Sequence, residues 1–202
     1  DWQSRDGEAG VDPGWGKVRP WLDGEPLAIP PPPVRGSREW DAALDELRRI
    51  SAGLTDAQLR IAIRWAGGAD RYTPPDMWNV IALDLLRREQ TDEGAALESL
   101  ATMNLAMADA GIAAWRIKYA TGVARPWQID RSLATPVRVP AFPSYPSGHS
   151  VFSWAAAEAL SALHHGARAE LEALAEEASL SRLYAGIHWR FDLTGGRALG
   201  EA

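Results

Sequence analysis

Three stretches of the chain hold side chains able to do chemistry, and each taken alone is open to a plainer reading. The first is Lys118-Tyr-Ala-Thr-Gly-Val-Ala-Arg125-Pro126. Lys118 follows Trp115 by three residues, so it continues an apolar helical face. A cation emerging there needs an anionic partner, because an unpaired buried charge is very costly. Arg125 precedes a proline, which pushes it out of helical geometry and lets it aim elsewhere. The plainer reading is a surface Lys and Arg at a helix end. The second stretch is Phe142-Pro-Ser-Tyr-Pro146-Ser147-Gly148-His149. Pro146 delivers the chain into a helix whose first amides and positive dipole end form an anion cradle. Ser147 adds a hydroxyl, Gly148 permits close backbone approach, and His149 beside them has a pKa range suited to proton transfer. Alternatively Ser147 merely caps and His149 lies on the surface. The third is Ser181-Arg182-Leu-Tyr-Ala-Gly-Ile-His188-Trp-Arg-Phe-Asp192. If it is helical, His188 and Asp192 at i,i+4 are neighbours. The carboxylate then fixes one imidazole nitrogen and leaves the other as nucleophile or metal ligand. Arg182 offers a planar fork for an oxyanion. A helical surface His–Asp pair is the bland counterpart.

The elements that must position these residues read as helices. Residues 1 to about 37 form a Pro- and Gly-rich arm in which Pro30-Pro31-Pro32-Pro33 favours an extended path. Trp15, Trp21, Leu22, Leu27 and Ile29 are its candidate apolar anchors across the domain; a loose linker is the alternative. Ser37 can cap a helix carrying Trp40, Leu44, Leu47 and Ile50 at helical spacing. Thr55 with Gln58 is a capping-box pattern opening a second helix to about Trp65, ended by Gly67-Gly68. A third runs from Asp76 to about Gln90 after Thr73-Pro74-Pro75. A long fourth starts near Asp92, with Leu97, Leu100, Met107, Gly111, Trp115 and Lys118 along one face. Pro126 and the cluster at 136–146 read as loop. Further helices are expected over Ser147–His164, Ala167–Glu177 and from about Gly186 onward. No alternating strand run and no internal repeat occurs. The expectation is an all-α helical bundle, with the arm at 1–37 and a catalytic domain at 38–202.

Composition sets the outer bounds. The 202 residues suit one domain, which at this size buries enough surface to need no metal or disulfide staple. With 46% apolar and 24% charged residues, wholesale disorder is excluded. A net charge of -6 argues against a nucleic-acid binder. The stretch Ser153 to His164 is interrupted by Glu158 and is far short of the ~20 residues a membrane span requires. The absence of cysteine rules out thiol catalysis and thiolate metal sites. The chain starts at Asp1 with no signal-peptide pattern, as a processed exported protein or a trimmed chain would; a periplasmic or extracellular location is expected over a cytoplasmic one.

Taken in order, Lys-x6-Arg-Pro, Pro-Ser-Gly-His and Ser-Arg-x5-His-x3-Asp resemble the three-part signature of the vanadium-dependent haloperoxidase and acid phosphatase (PAP2-type) superfamily. Every motif position is filled, with 19 residues between Pro126 and Pro146 and 31 between His149 and Ser181. The similarity covers roughly residues 60 to 202, including Thr73-Pro-Pro with Trp78-Asn79, and is strongest to vanadium chloroperoxidases and their bacterial homologues. The resemblance implies an all-helical fold with the active site inside a four-helix core. It implies oxyanion contacts from Lys118, Arg125, Ser147, Gly148 and Arg182, an acid/base in His149, and a vanadium ligand or phosphatase nucleophile in His188, oriented by Asp192. The implied cofactor is vanadate, with phosphate able to occupy the same place, and no haem or nucleotide.

Trp115 and Phe142 resemble aromatic residues of the chloroperoxidase halide pocket; core packing is their other reading. They tilt the expectation toward a haloperoxidase using hydrogen peroxide and halide. The alternative is an acid phosphatase acting on a phosphate monoester through a phosphohistidine, and a non-catalytic oxyanion-binding scaffold is a third class. Only Met77, Met103 and Met107 offer oxidisable sulfur, which suits an oxidant-producing enzyme, though composition bias accounts for it equally. Asp70 is a candidate to hold Arg182. The resemblance also implies a further helical bundle ahead of the motifs and a continuing last helix, so a second copy or another helical segment is expected over exposed apolar faces.

Overall fold

The computed structural model describes residues 1–5, 7–22, 29–67 and 73–202, and among them there is no strand. Along these described residues eight α-helices follow one another: α1 (Arg38–Ala52), α2 (Asp56–Arg64), α3 (Pro74–Arg88), α4 (Glu93–Thr121), the short α5 (Pro126–Ile129), α6 (Gly148–Leu163), α7 (Arg168–Tyr184) and α8 (Arg190–Gly200). Their starts are written in local side chains. Ser37 accepts from the Trp40 amide, Thr55 and Gln58 form a reciprocal capping box, and Asp92 accepts from the Ala95 amide. Gly122, at φ 58, adopts the left-handed conformation that ends α4 just past Lys118.

Helix α6 is the central element, packed against α4, α7 and α8. It is apolar nearly all round, as a fully surrounded helix must be, and its Ala155, Ala156 and Ala157 let neighbours approach. Helix α8 comes closest. A Cβ on Gly196 would lie 2.8 Å from the Ser147 carbonyl oxygen, and one on Gly200 would lie 2.7 Å from that of Val151. Only hydrogen fits at those two positions, so the TGGRALG sequence sets the α6–α8 distance. One apolar cluster joins Trp78, Met103, Met107, Phe152, Leu160 and Leu171. A second joins Trp40, Leu47, Tyr145, Leu183, Trp189 and Phe191 around the other end of α7 and α8.

The arm lies against α4. Trp15 sits in a 3-10 turn at a centroid distance of 4.7 Å from Trp115, over Gly111, and the Val11 amide donates to the Ala141 carbonyl. Trp21 and Leu22 differ from the expectation: their side chains are exposed, and the chain is fixed there through their amides, which both donate to the Asp109 carboxylate at 2.8 Å. Ile29 packs against both clusters, whereas Leu27 and Gly68 lie outside the described residues. Three further expectations are corrected. Leu97 is exposed, because the buried face of α4 runs instead through Ser99, Met103, Met107, Ala110, Ala114, Trp115 and Lys118. Helix α7 continues past Glu177 to Tyr184, its face held by Leu171, Ala175, Ala178 and Leu183. A short helix, α5, forms after Arg125, which caps it.

Candidate active site

Four helix ends converge between α4, α6, α7 and α8, and Lys118, Arg125, Ser147, Gly148, His149, Arg182, His188 and Asp192 lie there. Lys118 reaches the place from the buried face of α4. Its ammonium donates to the carbonyl oxygens of Pro143 and Ser144, both at 3.0 Å, and to that of Pro146. The anionic partner expected for Lys118 is thus replaced by three backbone dipoles of the loop that leads into α6. Burial, reinforced by repulsion from Arg125, pulls its pKa well below the ordinary lysine range.

Arg125 is extended (φ -72°, ψ 153°), as a residue before proline must be, and this turns its side chain inward. Its Nε donates to the Phe142 carbonyl at 3.0 Å and its Nη1 to that of Ile187 at 2.8 Å. Nη1 also lies 2.9 Å from Nε2 of His188, while the buried Nη2 has no partner among the described residues. Desolvation lowers Arg125 to about 10, still charged at neutral pH. Arg182, on α7, donates from Nε to the Ser181 hydroxyl and from Nη2 to the Ala62 carbonyl, each at 2.8 Å. Burial, then Arg125, lowers it to about 9. Asp70 lies outside the described residues.

A guanidinium can only donate, so Nε2 of His188 must present its lone pair to Arg125. The proton is then on Nδ1, which donates to Asp192 Oδ2 at 2.7 Å. The two are adjacent for a reason other than i,i+4 helical spacing. His188 precedes α8, Trp189 is its N-cap, and Asp192 is the third helical residue, reaching back to accept the Trp189 amide at 3.0 Å. Ser144 donates to the same Oδ2 at 2.5 Å, a residue that sequence reasoning did not single out. Burial raises Asp192 to about 6, against the pull of these donors. Burial first, then Arg125 and Lys118, drives the His188 pKa well below its usual range, so the imidazole is neutral.

Ser147 is the N-cap of α6; its hydroxyl accepts from the Ser150 amide at 3.4 Å and its own amide donates to the Asp192 carbonyl at 2.9 Å. Gly148 follows as the first helical residue. His149 Nε2 lies 2.6 Å from the carbonyl oxygen of Trp65, which can only accept, so Nε2 is protonated and Nδ1 carries the lone pair. Burial and then Arg182 depress its pKa strongly, and the Trp65 carbonyl opposes them. Trp115 and Phe142 form an aromatic wall, with centroids 5.0 Å apart. The Lys118 ammonium stands 5.0 Å from the Phe142 ring centroid and the Arg125 guanidinium 5.1 Å. Val11 of the arm accepts from the Trp115 indole at 3.3 Å. Two acceptors missed by sequence reasoning, the Ala62 and Trp65 carbonyls, are backbone atoms and leave no side-chain signal.

No curated protein matches the sequence. Among solved structures, a bacterial vanadium-dependent iodoperoxidase superimposes with a TM-score of 0.89 at 27% identity, over 99% of this chain and 58% of its own. The holo form of a bacterial vanadium-dependent chloroperoxidase gives 0.75 at 17%, over 95% and 53%. A transmembrane PAP2-type phosphatidylglycerolphosphate phosphatase from Bacillus subtilis gives 0.57 at 18%, over 80% of each. The chain therefore spans little more than half the length of either peroxidase. Among the described residues no helix is long and apolar enough to cross a membrane. The profile of the PAP2 superfamily matches residues 99–202, a run that includes everything from Lys118 to Asp192. Over half its length and through its whole cationic centre, the chain belongs to the PAP2 superfamily.

Proposed function

We propose that the protein is a vanadium-dependent haloperoxidase. The observation that carries this reading is the aromatic wall of Trp115 and Phe142 set directly against the buried ammonium of Lys118 and guanidinium of Arg125. Cations beside an apolar wall suit a small, partly dehydrated anion such as halide. The similarity to a bacterial iodoperoxidase along nearly the whole chain supports it.

The residues present fit vanadate. Three buried cations stand against one buried carboxylate among the described residues, and Arg125 Nη2 is an unused buried donor. A Cβ at Gly148 would rest in ordinary contact with Phe152 and Trp115, at 3.8 Å from each ring, so the start of α6 lies against the aromatic wall. His188 Nε2, on leaving Arg125 Nη1, would hold the metal; Arg125, Arg182, the Ser147 hydroxyl and the Gly148 amide would hold the oxygens, and Lys118, whose three N–H bonds go to carbonyls, would add its charge. When bound, vanadate supplies a Lewis-acidic centre that activates peroxide toward halide. The chain's own part is then defined. Asp192 keeps the His188 proton on Nδ1, His149 takes a proton at Nδ1 and returns it, and Trp115 with Phe142 excludes water from the halide.

A phosphomonoesterase is the second reading, favoured by one observation: His188 Nε2 with Asp192 behind it is a complete metal-free nucleophile. His188 would attack phosphorus, His149 would first take a proton at Nδ1 and pass it to the departing alcohol, and water, giving a proton back to that Nδ1, would cleave the phosphohistidine. One experiment separates the two. Vanadate-loaded protein with peroxide should oxidise iodide, bromide or chloride, whereas vanadate-free protein is assayed on an aryl phosphate. Absence of all halide oxidation, with phosphate hydrolysis present, would overturn the first reading in favour of the second.

A further inference from the structure

The two site residues that no sequence motif ties together, His149 on α6 and Arg182 on α7, are held by a third element. The last carbonyls of a helix have no intrahelical partner. At the end of α2 the Ala66 amide turns to Ile63 at 3.1 Å, which releases the Ala62 carbonyl to Arg182; three residues on, the Trp65 carbonyl takes His149. The end of α2 is thus a two-pronged acceptor whose prongs set the imidazole tautomer and the guanidinium plane. One carboxylate ties that end to α7. Oε1 of Glu177 accepts from the indole Nε1 of the fully buried Trp65 at 2.9 Å and from Arg64 Nη1 at 3.0 Å. Glu177 lies on α7, five residues before Arg182, so a single helix carries both the site cation and the strut that positions that cation's acceptor.

We infer that Glu177 is a positioning residue, which through Trp65 fixes the end of α2 so that its carbonyls orient His149 and Arg182 for an oxyanion. Glu177 touches no reacting atom. Its effect passes along one rigid path, from carboxylate to indole to the backbone of residues 62–65. The indole bond matters more than the ion pair, because Trp65 is buried whereas Arg64 is half-exposed and an exposed pair contributes little. This inference rests on the oxyanion-site reading above, and its test has one readout that does not.

The ligand-free readout is the imidazole nitrogen spectrum of His149, which reports the tautomer directly. Wild type should hold the Nε2–H form alone, and Glu177→Ala should mix the two neutral forms. The second readout is affinity for orthovanadate and for inorganic phosphate by calorimetry, well below the melting temperature. Glu177→Ala should weaken both by about tenfold, the scale of one misaligned charged hydrogen bond. Glu177→Gln keeps an acceptor for the indole and should restore both readouts to within about twofold, as should Arg64→Ala. If Glu177→Ala does not fold, Trp65→Phe, which removes only the indole donor and keeps a ring, carries the same expectations. An unchanged tautomer together with unchanged affinity would overturn the inference, and so would Glu177→Gln behaving like Glu177→Ala. Wild type that binds neither anion would instead overturn the oxyanion site, leaving the tautomer to decide the strut.

Discussion

Arg182→Ala separates the stability of this protein from its ability to bind an oxyanion. Burial holds the guanidinium at about 9 instead of 12.5, which corresponds to roughly 5 kcal/mol against its charged form. Removing the side chain lifts that burden. It also strands the Ala62 carbonyl, which costs about 1–3 kcal/mol, and leaves a space that the core does not fully close. These effects oppose each other, so the ligand-free variant should melt within a few degrees of wild type. Binding has no such offset. Loss of one charged hydrogen bond to the ligand is worth about 1.5–3 kcal/mol, or roughly 10- to 150-fold in dissociation constant. The assay is calorimetric titration of orthovanadate and of phosphate into both proteins, with circular dichroism to establish that the helices remain. Arg182→Lys should fall between, since an ammonium keeps the charge but cannot bridge Ser181 and Ala62 as a fork does. Equal affinities for wild type and Arg182→Ala would refute the reasoning and leave Arg182 as a structural cation.

His188→Ala should reduce both halide oxidation and phosphate-ester hydrolysis to less than about a tenth of wild-type turnover, since it removes the ligand or nucleophile in either chemistry. Phe142→Ala should lower halide oxidation by vanadate-loaded protein about tenfold while leaving aryl-phosphate hydrolysis by vanadate-free protein unchanged or faster; a parallel fall in both would assign Phe142 to packing. Stability should fall in acid. The folded-state pKa values of His149 and His188 are depressed, so their contribution is complete above the unfolded value of about 6.5 and is lost as pH drops, by about 1.4 kcal/mol per pH unit for each. Asp192, raised to about 6, is protonated more readily when folded and offsets about half of that slope between pH 4 and 6. Thermal midpoints from pH 7.5 to 4.5 measure this, and a flat profile would refute it.

Much of this architecture was legible in the residues because its signals are local. Ser37, Thr55 and Asp92 each announce a helix by a side chain that accepts an amide within the next three residues, and each does so in the structure. Lys118 was placed on a buried face by its spacing from Trp115, and it is fully buried. The pairing of His188 with Asp192 was foreseen on the wrong geometry, since i,i+4 is shared by a helix interior and by a helix start that reaches back past its cap. Other features were illegible because their partners are distant backbone atoms. Nothing in the sequence near Lys118 points to the carbonyls of Pro143, Ser144 and Pro146, and nothing near His149 points to Trp65. Gly196 and Gly200 look like helix weaknesses until the neighbour they admit is known.

The arm over α4 divides the labour of the site between two stretches of sequence far apart in the chain. The groups proposed to grip an oxyanion all come from residues 118–192, where Lys118, Arg125, Ser147, Arg182 and His188 are buried. The outer support of the aromatic wall comes instead from Val11 and Trp15, on a segment that carries no charge into the centre. A substitution at Trp15 would remove a ring from beside Trp115, whose own ring stands 5.9 Å from the Lys118 ammonium. Under the haloperoxidase reading proposed above, the shape of the halide space therefore depends on a residue one hundred positions before Trp115 in the chain.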